Sequence, residues 1–459
     1  MVVPVSCHPG IAAGMAALQI FYNPSTGLWD KAEWWHAANA LETTIDYSRI
    51  TKTLTYRTNI FNTFEKHKQR EFFSPWFYDD DGWWALAWIK AYDLTGETRY
   101  LDAAKTIFKE MSRGWDSVCG GGVWWKKQER TYKNAITSEL FLTVAARLHL
   151  RTPGDGGPGS YLDWAQRTWG WFKNSGMINA NNQVNDGLNS DCRNNGQTAW
   201  TYNQGVILGG LVDLYKSTGD PALLTQAELI ADAALRHLSP NGILQEPCET
   251  DSDCGADGAQ FKGIFIRNLA YLYQTIQKPS YKTFITRNAD AIWAQNRNDA
   301  NQFGLRWAGP FDRADAARQS AAMDAINAAV AIGTGGTYQA ENQRLNGVAT
   351  KSQGRGFNGY GYVTSDRDEQ SVAFGVNASC SGSYDLRFRY AAANPASRYL
   401  HVNGRRIVDN QEFPATNNEW NTVTVPNVWL RTGSNNVSVI FNRSKGSRDE
   451  LDLDEMTVE

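Results

Sequence analysis

Three consecutive carboxylates, Asp79, Asp80 and Asp81, stand directly before an aromatic and aliphatic run in the stretch YDDDGWWALAWIKAYDLTG. Like charges repel, and a buried charge is costly unless it is paired. One aspartate is enough to cap a helix and oppose its macrodipole; three call for another explanation. Two carboxyl groups flanking one bond are the equipment of glycoside hydrolysis, about 5–5.5 Å apart for retention and wider for inversion. Neighbouring residues have Cα atoms about 3.8 Å apart, and on a helix their side chains diverge by about 100°. The pairs 79/80 and 80/81 both meet the retaining geometry, whereas 79 and 81 point too far apart. Trp83 and Trp84, one turn on, offer a stacking face for a sugar. They also offer a wall that desolvates one acid and raises its pKa, as general-acid work requires.

Other candidates lie further along. The turn GGGVWW presents Trp124 and Trp125 as a subsite platform. Asn134, Tyr202, Asn203 and Gln204, and then Gln260, Phe261 and Lys262, open apolar runs at expected helix starts, where they would bond sugar hydroxyls or cap the backbone. The loop EPCETDSDCGAD carries Asp251, Asp253 and Asp257 but fails the EF-hand pattern, with Gly255 at a ligand position and Ala256 where glycine is needed. It reads as a rim closed by a Cys248–Cys254 disulfide. Cys119 and Cys192, both in Gly- or Asn-rich loops, form a second pair; the pairing of Cys7 and Cys380 is left open. No CxxC occurs among the 6 cysteines, and the 6 histidines are scattered, so no zinc site is expected. Disulfides together with sequons at Asn377, Asn436 and Asn442 point to a secreted, extracellular protein.

The elements that must hold these residues fall into two kinds. Over residues 1–332, nearly all-apolar helices alternate with amphipathic ones. The inner set begins near Glu33, Asp80, Asn134, Thr201, Gly258 and Ser320. The outer set covers 51–69, 97–114, 159–174, 221–238 and 279–297, with 11–22 closing the ring. Related turns start at Tyr92, Tyr215 and Tyr273, implying a helical-hairpin unit of about 60 residues. Twelve helices in six hairpins make an all-α (α/α)6 barrel. A Gly/Thr linker at 333–337 follows. Residues 338–459 then show short alternating runs between turn clusters, which predicts a small β-sandwich of jelly-roll type. Only Trp420 and Trp429 of the 18 tryptophans lie beyond the linker, so chemistry is expected in the helical part.

A net charge of −3 gives no basic surface for nucleic acid, and no apolar run approaches a membrane span. MVVPVSCHPG lacks the charged and apolar regions of a signal or transit peptide, and no C-terminal anchor signal is expected. Neither a P-loop, a GxGxxG after a strand nor a GxSxG is present, so nucleotide and serine-hydrolase chemistry have no footing.

The Asp-Asp-x-x-Trp pattern at Asp79, Asp80 and Trp83 resembles the motif of glycoside hydrolase family 76, the endo-α-1,6-mannanases, which are (α/α)6 barrels. GGVWWKK, YKNAITSELFL, TYNQGVILGGLVDLY and GAQFKGIFIRNLAYL resemble family segments in the same order. The resemblance implies Asp79 as nucleophile and Asp80 as general acid/base in a retaining reaction on mannan, with no catalytic cofactor and a monomeric enzyme. Asp81 then reads as a cap. Fungal wall transglycosylases of the same family are the alternative, as is an (α/α)6 hydrolase acting on another glycan; a non-catalytic lectin does not explain the paired aspartates. YQAENQ, GFNGYGYV and LDLDEMTVE resemble carbohydrate-binding modules of families 6 and 35. That resemblance implies a structural calcium on Gln339, Glu341 and Asp454. For the module's sugar site, stacking aromatics and amides make Tyr362, Trp420 and Asn442 the candidates.

Overall fold

A helix wrapped by others is apolar all round, and one facing water carries a single apolar stripe. Both patterns occur in strict alternation in the computed structural model, which describes residues 10–251, 254–334, 336–353, 356–358, 361–378 and 381–458. Cys7, Cys380 and Asp253 lie outside these. Twelve α-helices run through the first part of the described chain: Gly10–Gln19 (α1), Trp34–Thr51 (α2), Arg57–His67 (α3), Tyr78–Thr95 (α4), Thr98–Ser112 (α5), Ala135–His149 (α6), Tyr161–Asn174 (α7), Thr201–Thr218 (α8), Pro221–His237 (α9), Gly258–Ile276 (α10), Pro279–Gln295 (α11) and Ala316–Thr334 (α12). The even-numbered helices are the inner ring: α6 buries every residue from Ala135 to Leu148. The odd-numbered helices are outer: α5 buries only Tyr100, Leu101, Ala104, Ile107, Phe108 and Met111, the spacing of one face.

The inner helices α2, α4, α8 and α10 end where a left-handed residue turns the chain outward. Gly96 (φ 72°) ends α4 and Gly219 (φ 74°) ends α8, while Gln277 (φ 55°) takes that conformation after α10. Successive inner helices pack on one another from α2 to α10. Gly205 and Gly263 allow the closest approaches, since an added Cβ would come within 2.6 Å of the Phe265 backbone and 2.5 Å of the Ala321 backbone. The ring closes between the ends of the sequence: Thr43 on α2 donates to Asp324 on α12 at 2.6 Å, and Gln319 donates to the Gly14 carbonyl at 2.8 Å. These are the six inner and six outer helices of the (α/α)6 barrel.

The spacer expected at 333–337 is not a free linker. α12 starts at Ala316, ahead of the expected Ser320, and continues to Thr334. A strand then begins at Gly336 and pairs with Leu451–Val458 in register Gln339↔Glu455. Backbone groups that find strand partners do not stay in a solvated tether. Two compact units divide between Ala329 and Val330. The second is a sandwich of antiparallel sheets. One sheet has the order Arg405–Phe413, Ala396–Val402, Gly433–Ile440, Ser371–Ala378, Arg344–Asn346. The other runs Asn421–Leu430, Gly382–Ala391, Leu451–Val458, Tyr362–Ser365, Ala349–Lys351, with Gly336–Gln339 also on Leu451–Val458. Phe374, Leu386, Phe388, Phe413 and Met456 fill the space between them.

Candidate active site

The residues just ahead of α4 do not continue the helix because they pair with another segment. The Tyr78 amide donates to the Trp125 carbonyl at 3.0 Å, and the Lys127 amide donates to the Trp76 carbonyl at 2.9 Å. This short ladder brings the Trp125 indole over the start of α4, where Nε1 donates to Asp79 Oδ2 at 3.1 Å. Trp125 also stacks on Phe77 with ring centroids 4.9 Å apart.

Asp81 fastens the same arrangement from below. It is fully buried, accepts the Ser74 amide at 2.7 Å on Oδ1, and meets Lys127 Nζ at 2.7 Å through Oδ2. The third aspartate is therefore no surplus cap. It joins the segment before α4 to the segment carrying Trp125, with Lys127 supplying the compensating charge.

Above it opens a cleft of about 810 Å³, at the N-terminal ends of the inner helices. Asp79 and Asp80 line it, together with Trp83, Trp125, Asn134, Tyr202 and Phe261 from the sequence-derived set. Tyr202 stacks on Phe261 at 3.8 Å and on Trp83 at 6.5 Å, forming one aromatic wall. Asn134 both faces the cleft and caps α6, accepting the Thr137 amide at 3.3 Å.

The other candidates sit elsewhere. Trp84 is fully buried against Trp34 at 4.5 Å and Trp88 at 5.7 Å. Trp124 turns away, donating to Asp116 at 2.7 Å with the Lys133 ammonium 4.6 Å over its ring. Asn203, beside Asp186, lies beneath the lining. Gln204 holds the backbone of Val184 at both its N–H and its C=O, 2.7 and 2.8 Å away. Gln260 accepts from Ser320 at 2.8 Å, and buried Lys262 pairs with Glu249 at 2.5 Å. Asn203, Gln204, Gln260 and Lys262 stand near the start of an inner helix, as expected. But successive helical side chains point about 100° apart, so only some of each start can face the mouth.

Sequence reasoning missed several lining residues: Glu33, Trp35, Arg70, Trp76 and Asp186. Trp76 is 59% exposed, a large apolar ring held in water at the rim. Asp186 accepts the Tyr132 hydroxyl at 2.5 Å, and Tyr132 in turn accepts from Asn195 at 2.9 Å. Asp257, on the rim closed by the Cys248–Cys254 disulfide, accepts Trp35 Nε1 at 3.0 Å. The second expected disulfide, Cys119–Cys192, is also present. Trp76 was legible as a tryptophan just upstream of the aspartates; Asp186 comes from an Asn-rich loop with no local signal.

Five carboxylates (Glu33, Asp79, Asp80, Asp186 and Asp257) and one guanidinium, Arg70, line this cleft among the described residues. Burial pushes Asp79 well above the usual carboxylate range, and the neighbouring Asp80 charge pushes further; the Trp125 N–H opposes both. Burial also raises Asp80, to about 6, with Asp257 and Glu33 adding to the rise. The adjacent pair therefore holds a proton where isolated aspartates would not. One ionised and one protonated carboxyl at a desolvated mouth can attack an acetal carbon and protonate its leaving oxygen.

In the sandwich, Tyr362 and Trp420 meet edge to face at 5.3 Å, and the Arg389 guanidinium lies 5.0 Å over Trp420. Asn442 is elsewhere, at the end of a strand of the other sheet, accepting from Ser444 at 2.7 Å. The calcium set does not fit as expected. Asp454 is ion-paired with Arg389 and accepts the Asn358 amide at 3.1 Å on each oxygen. A carboxylate already neutralised by a guanidinium is a poor cation ligand. The side chain of the last strand that reaches Gln339 is Glu455, at 2.7 Å. A register irregularity falls between Leu453 and Glu455, and it is Glu455 rather than Asp454 that stands opposite Gln339.

Residues 14–341 match the family model of glycosyl hydrolase family 76, and residues 336–448 match that of carbohydrate binding module family 35. A putative mannan endo-1,6-alpha-mannosidase of Schizosaccharomyces pombe is 30% identical over 276 residues, 55% of this chain and 62% of that protein. The chain thus spans under two thirds of that relative's length. The mannan endo-1,6-alpha-mannosidase DCW1 of Saccharomyces cerevisiae is 26% identical over 316 residues, 62% of this chain and 69% of that protein. Among solved structures, the barrel resembles the α-1,6-mannanase GH76A of Salegentibacter sp. HEL1_6. An inactive variant of that protein, with two consecutive aspartates replaced by asparagine, was solved with α-1,6-mannotriose. Its TM-score is 0.63 at 22% identity, covering 71% of this chain and 99% of that one. Dfg5 of Chaetomium thermophilum, solved with glucosamine, gives a TM-score of 0.62 at 20% identity, covering 70% and 89%.

Proposed function

The chain belongs to glycosyl hydrolase family 76, and from that premise we propose that it is a secreted, endo-acting hydrolase of α-1,6-linked mannan that retains configuration. The observation that carries this reading is the adjacent pair Asp79–Asp80, set without a salt bridge among the described residues in an aromatic-walled cleft. Asp79 is the nucleophile: burial and Asp80 raise it, but the Trp125 N–H bonds one of its oxygens and opposes that rise. With the pair's shared proton on Asp80, it can attack as a carboxylate. Asp80, raised to about 6, protonates the glycosidic oxygen and then activates water against the covalent mannosyl-enzyme.

The charge of the cleft supports a neutral polyol as substrate. Five carboxylates offer acceptors to sugar hydroxyls, and they would repel a uronic acid held by Arg70 alone. Tyr202, Phe261 and Trp83 supply faces on which sugar rings stack. The mannan-directed relatives and the mannotriose complex of the Salegentibacter protein support the same polymer. The two disulfides support an oxidising, extracellular setting, and among the described residues no helix is long and apolar enough to cross a membrane.

Digestion of debranched α-1,6-mannan tests the reading, with products sized and their anomeric configuration followed by NMR. Internal cleavage with an α-anomer formed first is expected. A β-anomer formed first would refute retention, products longer than the substrate would establish transfer, and no cleavage would refute the substrate.

A further inference from the structure

Two depressions line the outer wall of the barrel along α7, and they share no residue with the cleft. One, of about 790 Å³, is lined by Trp115, Asp116, Arg167, Trp171 and Asn174 among others. The second, of about 460 Å³, includes Lys109, Asp155, Tyr161 and Trp164. Tyr161, Trp164, Arg167, Trp171 and Asn174 recur at steps of three and four, so they form one face of α7. At 1.5 Å per residue, the 14 residues of that helix make a track of about 21 Å.

The track is held in shape without a ligand. Buried Lys133 donates to Asp116 at 2.7 Å and to the carbonyls of Val118 and Gly121 at 2.6 and 2.7 Å. The Cys119–Cys192 disulfide pins the same loop. Trp171 Nε1 donates to the Cys119 carbonyl at 2.9 Å, and its ring lies flush on the backbone of Gly121 and Gly122. A Cβ at Gly122 would come within 2.3 Å of that ring, so the glycine run serves Trp171 rather than Trp124. The Arg167 guanidinium lies 4.5 Å over Trp164. Trp115, Trp164 and Trp171 are half-buried and line the two depressions.

We propose that this track is a second carbohydrate-binding site, which holds a neutral polysaccharide chain on the outer wall of the barrel. Half-buried rings in line with hydrogen-bonding edges match alternating apolar faces and hydroxyls of a glycan. Lys105, Lys109 and Arg167 face Asp116 and Asp155, a mixed lining with an excess of a single positive charge, too little to select a polyanion or a polycation. The polymer is the α-1,6-mannan of the proposed function, and to that extent the inference rests on it. A remote hold raises the effective concentration of the same chain at the cleft.

Gly170 gives a clean plug. It lies on the track, and an added Cβ there meets nothing within 4 Å. In the full chain, Gly170→Gln and Trp171→Ala are compared with wild type in native gels with and without debranched α-1,6-mannan, and in rates on α-1,6-mannotetraose. Both variants are expected to keep the wild-type rate on the short substrate. Both should lose retardation by the polymer, with apparent affinity down about tenfold as one point of a multivalent contact is lost. Equal retardation of wild type and Gly170→Gln overturns the proposal, as does a wild type that mannan does not retard. A wild type retarded by mannan but unable to cleave the tetrasaccharide refutes the proposed substrate reading instead, while the Gly170→Gln comparison still decides the track.

Discussion

At the mouth of the barrel and on the face of the sandwich, buried carboxylates meet opposite fates. Burial raises Asp80 and Asp454 alike, each to about 6, and Asp81 to about 7. Yet Asp454 has Arg389 and Asp81 has Lys127 against it, whereas Asp79 has an indole N–H, Asp80 has the Ser74 hydroxyl, and the two have each other. Desolvation alone therefore does not mark a reactive acid. What separates the groups is what the carboxylate faces: Asp81 and Asp454 are each tied to a cation and act as fasteners, whereas Asp79 and Asp80 face the open cleft, where a proton can be given to a substrate.

The sharpest way to break this contrast is by removing one charge at a time. Asp79→Asn and Asp80→Asn should each lower turnover on α-1,6-mannooligosaccharides at least about a thousandfold with the fold intact, because each removes a group that acts on the reacting bond. A variant retaining a tenth of wild-type turnover would remove that residue from the chemistry.

Asp81→Asn should be felt first in stability. It leaves the part-buried Lys127 with Glu110, 3.4 Å away, as its remaining ion-pair partner among the described residues, and a loss between that of an exposed and a buried pair, about 2 kcal/mol, is expected. Urea unfolding measures this, and a loss like that of an exposed cap, under about 1 kcal/mol, would show that the pair is not a fastener.

Asp80→Asn should do the reverse. An acid whose folded pKa lies above its unfolded value binds more protons in the folded state, so wild-type stability falls as pH rises from about 4 to 6. Asparagine imitates the protonated acid. The variant should match wild type below pH 4 and exceed it by about 2 kcal/mol at pH 7. Parallel melting curves at both pH values would mean that Asp80 is not desolvated.

The smallest effect is expected from chelation. With Asp454 committed to Arg389, EDTA should leave both turnover and the sandwich's melting transition unchanged. A lowered transition that Glu455→Gln abolishes would place a cation between Gln339 and Glu455 instead.

Periodicity made the barrel legible almost residue by residue, because an inner helix such as α6 must be apolar on every side and α5 on only one. The adjacent aspartates were legible for an equally local reason. What stayed hidden was rotation and partnership. Trp83 faces the cleft while Trp84, the next residue, is core, and nothing in a string of letters sets that angle. Asp81 looked redundant until Ser74 and Lys127, from two other segments, closed around it. Asp186 reaches the cleft from a loop far along the chain and is readable only after the ring has formed. In the last strand, beside a register irregularity, Glu455 rather than Asp454 stands opposite Gln339.

The seam of the ring has a consequence for how the chain is made. Most helical contacts join neighbours in sequence and can form as the chain emerges, but Thr43–Asp324 and Gln319–Gly14 span 281 and 305 residues. Until α12 has been synthesised, α2 and α10 meet only through contacts such as Arg267–Glu42, and the flanks that α12 covers are presented to solvent. Such late, long-range closure slows folding and lengthens exposure to aggregation. Ribosome-bound chains that stop before Ala316 should therefore engage holdase chaperones far longer than chains released after Thr334.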